Sequence, residues 1–431
     1  MSEQKKVLLL TYYWPPAGGA GVQRWLKMSK ILSQHIQLSV YFPKNADYPI
    51  KDESLISQIP GNIKLISKPI REPYALASKI NPKNKNYQKG MIEDQKNQSI
   101  LSKISLWIRA NYFIPDARSG WIQPSYLYLK KHLKTNPQDI IITTGPPHSM
   151  HVIGLKLKQE FPNLKWIADF RDPWTAIDYF DKLPLNKKSL EKHINLERKV
   201  LKTADIVSTV SPAWADDLSK ISDRKIEIIY NGFDQEDFKI RYNPENKFSL
   251  TYIGSLNDDR NPSNLWRVLD KLCENHEFQK DFELHLVGSI SPMVKTQIQS
   301  LSSLNIKTKF RDYIPHNESL ITLQKSQVLL LIINQTANEK GIIPGKFFEY
   351  LASQRKILCI GKKNSNIADL LNELSAGNVV DRENEEEMTG VLLQYYKEFK
   401  NQKLNFNEPK NIKNFSREYA AFQFLKLIES L

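Results

Sequence analysis

The sequence predicts an α/β chain made of two doubly wound parallel sheets, each in its own domain. Three observations predict it. Short continuous apolar runs recur between stretches of helical spacing, as strands covered on both faces require. The rhythm stops at a polar stretch, 235–247, and then restarts. The 431 residues are 41% hydrophobic and 25% charged, which supplies apolar material for two cores and argues against general disorder.

The first run is Val7 to Leu10. A loop with two prolines and three glycines follows, and then Val22, Trp25, Leu26, Met28, Ile31 and Leu32 repeat at helical spacing. Strands are expected at 38–42, 139–144, 166–170 and 206–210, with helices between them. After Asn231-Gly232, strands are expected at 248–253, 282–287, 328–333 and 357–360. Helices are expected at 262–272, 292–301, 319–326 and 344–353. The stretch 235–247 has the polarity and the proline of a linker. The expected division is therefore 1–235, 248–412 and a terminal segment, 413–431. That segment holds a helix with Ser416 as N-cap and Glu418 in the first turn. Residues 81–98 are polar and Lys/Asn-rich and read as a mobile insertion.

The net charge of +14 favours an anionic partner: nucleotide phosphates, an anionic membrane surface or nucleic acid. No zinc-finger, KH or interleaved basic–aromatic motif supports nucleic acid. Cys273 and Cys359 sit in no CxxC, so neither a disulfide framework nor a zinc site is expected. No signal peptide is read, because Val7 to Leu10 is too short for an apolar core segment. No run reaches the ~18 apolar residues of a membrane helix. The expected location is the cytoplasm, with any membrane work done peripherally at the inner face.

Three motifs carry chemistry. WPPAGGAGVQR at 14–24 follows the first strand and opens the first helix. Its glycines allow close backbone approach, and a helix start suits a phosphate; a tight turn without a ligand reads equally well. PGKFFEYLAS at 344–353 puts Pro344, Gly345 and Lys346 at a second helix start, with Glu349 one turn on. That carboxylate could accept two ribose hydroxyls, or it could simply favour the positive end of the helix. ADFRDPW at 168–174 crowds charge at the end of a strand, where ligands bind in open sheets. A structural Asp–Arg pair closing the loop is the other reading.

These segments, together with TTGPPHSMHVIG at 143–154, YNGFD at 230–234 and YIGSL at 252–256, give the chain its resemblance. It resembles the family 4 glycosyltransferases of the GT-B fold, of the bacterial surface-polysaccharide kind. The resemblance implies two Rossmann-like domains facing across a cleft, with a final helix crossing back to the first. It implies a retaining transfer from a UDP- or GDP-sugar, without a metal or other cofactor, onto a saccharide or lipid-linked acceptor. By position, Gly18 and Gly19 would approach the donor diphosphate, Gly254, Ser255 and Arg260 would line its site, and Gly345, Lys346 and Glu349 would complete it. Arg171, Asp172 and His148 would carry the catalytic role on the first domain.

The chain also departs from the family. The first of the family's paired glutamates falls at Gly341, with Glu339 close but out of register. Ser255 stands where an arginine is usual. Arg171 aligns with the family's histidine, for which His148 and His151 are nearby alternatives. A nucleotide-sugar epimerase and a non-catalytic nucleotide- or saccharide-binding module share the architecture and remain alternatives.

Residues 79–134 hold eleven Lys or Arg against three Asp or Glu. Within them Ile100, Leu101, Ile104, Trp107 and Ile108 would share one helical face. That face either packs on the first domain or lies in a membrane interface near a lipid-linked acceptor.

Overall fold

A computed structural model describes residues 4–70, 72, 100–177, 180–404 and 411–431. The chain divides into two compact units, one of residues 1–230 plus 418–431 and one of 231–417. The stretch 235–247, expected as a linker, lies inside the second unit, where Glu245 N donates to the Lys325 carbonyl at 2.8 Å. Residues 81–98 lie outside the described residues.

The first unit holds a seven-stranded parallel sheet. Its strands are β1 (Lys6–Leu10), β2 (Gln37–Pro43), β3 (Lys64–Lys68), β4 (Ile140–Gly145), β5 (Lys165–Phe170), β6 (Ile206–Thr209) and β7 (Glu227–Ile228). They lie in the order β3-β2-β1-β4-β5-β6-β7. Val7 pairs with Leu38 on one side and Ile140 on the other. Every residue of β4 is buried, which explains the unbroken run of isoleucines.

The second unit holds six parallel strands: β8 (Phe248–Ile253), β9 (Phe282–Val287), β10 (Thr308–Arg311), β11 (Val328–Ile332), β12 (Lys356–Ile360) and β13 (Gly377–Val380). Their order is β10-β9-β8-β11-β12-β13, and β11 is wholly buried. Each sheet reverses its winding once, between β1 and β4 and between β8 and β11. In open parallel sheets the crevice at the carboxyl ends of those two strands is where ligands bind. The loops leaving these four strands carry most of the candidate residues.

The terminal helix Arg417–Glu429 returns to the first unit. Ala420, Ala421, Phe424 and Ile428 enter that unit's core, and the Phe424 ring lies 4.9 Å from Trp25. Part of the basic stretch is also structural. The helix Ile122–Thr135 buries Ile122, Leu129 and Leu133 in the same core.

Candidate functional site

In the second unit the site begins where β8 ends. Gly254 has φ +133°, and a Cβ there would stand 2.1 Å from Lys346 Nζ. Gly288, at φ +115°, lies behind it, and its Cβ would meet the Gly254 carbonyl oxygen at 2.5 Å. Both positions need glycine, for backbone conformation and for space. The result is a shallow floor across which the Lys346 ammonium lies, 3.5 Å from the Tyr252 hydroxyl and 4.6 Å from the centre of its ring. Burial, followed by the nearby Arg260 guanidinium, pulls the Lys346 ammonium down to about 8.

Arg260 ends the short turn Asp258–Arg260, and its Nε donates to Asn334 Oδ1 beyond β11. Behind it, buried Arg382 donates to the carbonyls of Arg260 (3.1 Å), Asn261 (3.2 Å) and Ile333 (2.9 Å). One guanidinium thus fixes the loops after β8 and β11 against each other. The helix Gly345–Ala352 begins beside this group and has no side-chain cap; Phe347 N donates to the Pro344 carbonyl at 2.9 Å, and the N–H groups of Gly345 and Lys346 open the helix ahead of it. Glu349, one turn on, pairs with His316 at 3.3 Å, and the carboxylate raises the imidazole's affinity for a proton. Ser255 is exposed and offers its carbonyl to the Tyr252 hydroxyl at 2.7 Å. Gly345 has open space around its Cα. Gly254, Ser255 and Arg260, on the loop after β8, and Gly345, Lys346 and Glu349, on one helix start, therefore form a cationic floor with a carboxylate at its far side.

Sequence reading missed three members of this group. Asn334, His316 and Arg382 belong to no recognisable motif; only their places after β11, at the start of a helix and after β13 mark them. Glu339, out of register with the family's first glutamate, is buried and paired with Lys362 at 3.5 Å. Gly341 is also buried, in the same short turn.

In the first unit, Gly18 sits tightly under Ile50, whose Cγ2 would be 2.8 Å from an added Cβ, and Gly18 N donates to the Ile50 carbonyl at 2.9 Å. Gly19, at φ +79°, turns the chain into the helix Ala20–Leu32, again without a side-chain cap. Arg171 ties this turn to the loop after β4, donating to the carbonyls of Gly21 at 3.0 Å and Pro146. His148 stacks on Trp174 with centroids 5.1 Å apart, and His151 stacks on Phe170 at 4.3 Å. Burial drives His148 well below the usual imidazole range and His151 down to about 3, so both rings are neutral near pH 7. Trp174 is held in turn by His193 Nδ1 at 3.0 Å and by Glu197. The Arg171 charge adds to the lowering of His148, and Asp172 follows, half-buried, in the same loop.

The charged cluster at 168–174 also has a structural centre. Asp169 is fully buried and accepts from Arg24 (3.2 Å), Trp25 (2.9 Å), Thr144 (3.0 Å) and Ser208 (3.0 Å). Its cationic partner is Arg24, from the far end of the glycine motif, and not the adjacent Arg171. A partner 145 positions away gives no local signal. One other group of carboxylates and histidine, Glu245, Glu283 and His285, comes within metal-binding reach among the described residues. Lys309 already pairs with Glu283 there at 2.5 Å.

Comparisons with known proteins agree with this architecture. No curated protein sequence matches the chain. Sucrose-phosphate synthase from Thermosynechococcus elongatus superimposes with a TM-score of 0.63 at 13% identity, covering 99% of both chains. S. aureus TarM in complex with fondaparinux, alpha-GlcNAc-glycerol and UDP gives 0.60 at 13% identity, covering 98% of this chain and 99% of that one. WaaG, a glycosyltransferase involved in lipopolysaccharide biosynthesis, gives 0.55 at 12% identity, covering 96% and 98%. At such identities the likeness establishes the fold, GT-B with two Rossmann-like units. Residues 95–237 match the family model described as Glycosyltransferase Family 4.

Proposed function

We propose that this protein is a retaining, metal-independent glycosyltransferase of cell-surface polysaccharide biosynthesis. It takes a sugar from a nucleotide-diphosphate sugar, UDP- or GDP-linked, and places it on a saccharide or lipid-linked acceptor in the cytoplasm or at the inner face of the membrane. The observation that carries the reading is the floor of Gly254 and Gly288 beneath Lys346 and Arg260, with Glu349 beside it. As the sugar leaves, negative charge builds on the diphosphate. Lys346, Arg260 and the uncapped start of the helix Gly345–Ala352 are fixed donors for that charge. Glu349 would accept ribose hydroxyls, exchanging its bond to His316 for them. Gly18 and Gly19 present a second uncapped helix start in the first unit. Arg171, Asp172 and His148 are the proposed groups on the acceptor side.

The test is calorimetric binding of UDP and GDP, with magnesium and with EDTA, followed by turnover of the nucleotide sugar that binds. Arg260→Ala and Glu349→Ala are each expected to lower turnover by ~10²–10³ while leaving the melting temperature unchanged. Full turnover in both variants would refute the assignment. A second reading, a non-catalytic nucleotide-binding module, draws on Gly341 and on the engagement of Glu339 with Lys362. Tight nucleotide binding without release of sugar to any acceptor would favour it. Conversion of the donor without an acceptor would point to an epimerase.

A further inference from the structure

Among the described residues the Glu349 carboxylate has one side-chain hydrogen bond, to His316 Nε2 at 3.3 Å. An ionised carboxylate only accepts, so Nε2 is the donor in either state of the ring. The pair joins two elements. His316 opens the helix His316–Lys325 after β10, and Glu349 lies in the helix Gly345–Ala352 after β11. It is not what holds the first of these helices in place. Leu320 and Leu323 are buried beneath that helix, and Gln324 accepts from Tyr242 N at 3.3 Å. The His316 side chain is 56% exposed and that of Glu349 22%, and an ion pair this open to water adds little to stability.

The charges around the ring favour its proton. The bond to Glu349 is the largest influence, and partial burial works against it. The Glu349 charge and Asp237, from the short turn Gln235–Phe238, add to the attraction, while Arg417 opposes it. The first position of a helix also disfavours a cation. Glu318, on the same helix, is engaged by Arg311 at 2.5 Å, and the Lys346 ammonium faces Glu349 from its own helix. The balance lifts the imidazole above its ordinary range.

We propose that His316 is a positioning residue of the nucleotide site that acts through Glu349: protonated, it withholds the carboxylate from the ribose, and neutral, it releases it. This role rests on the reading of Glu349 as the ribose acceptor. A hydrogen bond between two charged groups is about twice as strong as a neutral one, and ribose hydroxyls are neutral donors. Ribose therefore displaces the neutral ring far more easily than the charged one. Binding removes the partner that raised the ring's proton affinity, so a proton leaves as the nucleotide enters. Affinity is full above the imidazole's value in the free protein and falls as the pH drops through it. Lys346 acts on the alkaline side, which leaves an optimum between the two.

The experiment is titration calorimetry of the full chain with UDP-glucose and GDP-mannose between about pH 5.5 and 8, in buffers of different ionisation enthalpy. A nucleotide sugar is used because it has no terminal phosphate proton to titrate in this range. Wild-type affinity is expected to weaken about tenfold toward the acid end, with proton release on binding. His316→Gln keeps a neutral donor and should bind about tenfold more tightly than the wild type at the acid end, without proton release and with an unchanged circular dichroism spectrum. A residue that only braced the fold would not give tighter binding when replaced. Histidine NMR of the free protein supplies a reading that needs no ligand: the signal lost in His316→Gln should titrate at lower pH in Glu349→Gln. Binding that does not weaken with acid, or weakens equally in His316→Gln, overturns this role and leaves the nucleotide site standing. An unmoved histidine signal in Glu349→Gln overturns it as well. If neither nucleotide sugar binds at any pH, the nucleotide reading of the site fails and this role fails with it.

Discussion

At the scale of single residues, Lys346 gives the sharpest expectation. Its ammonium is depressed to about 8 in the free protein, and a bound diphosphate would raise that value. The contribution of Lys346 to nucleotide affinity should therefore be full below about pH 8 and fall as the pH rises through it, which titration calorimetry across pH 7 to 9.5 can read. Lys346→Arg should flatten the profile. Gly254→Ala adds a Cβ where Lys346 Nζ now lies, at a φ that favours glycine, so the lysine must move. Nucleotide binding should weaken about tenfold, the equivalent of one lost charge-assisted contact of ~1.4 kcal/mol. Asp169 is a residue of the other kind. Its carboxylate is buried with Arg24, and Asp169→Leu leaves that guanidinium without its charge partner, at a cost of about 3–5 kcal/mol in urea unfolding. The sequence showed Asp169 only as part of a charged cluster, because its bonds come from residues 24, 25, 144 and 208. The glycines and Lys346 were legible because close approach and a helix start leave local marks.

At the scale of elements, the buried strands were read to within a residue or two. β4 and β11 are apolar throughout, as burial on both faces demands. The strands that reading passed over lie at sheet edges. β3 and β10 mix lysine and arginine with apolar residues and keep most side chains at least partly in water, and β7 has two residues. An edge strand has a neighbour on one side only, so its sequence carries little of the apolar signal. The terminal helix was legible as an amphipathic segment, and Phe424 is its main anchor. Phe424→Ala should cost about 3–5 kcal/mol in first-unit stability, measured by denaturant unfolding, because it empties the space against Trp25. The helix Ile100–Tyr112 reads differently. Its periodicity groups Ile100, Ile104, Trp107 and Ile108, and these side chains are exposed, because spacing alone does not say whether an apolar face turns toward the core.

At the scale of the whole molecule, each unit has its own apolar core, one around β1, β4 and β5 and one around β8, β9 and β11. The second unit begins and ends at one place. Phe233 N donates to the Phe415 carbonyl at 3.1 Å, and Arg417 N donates back to Phe233 at 2.8 Å. Gly232 is pressed so close that a Cβ would stand 2.6 Å from Ser416 C. A chain whose two ends already lie side by side can be joined head to tail with a linker of a few residues, and reopened elsewhere. Residues 231–417 should accordingly survive backbone cyclisation, and new termini cut into an exposed turn such as that around Asn401 should leave the sheet order intact.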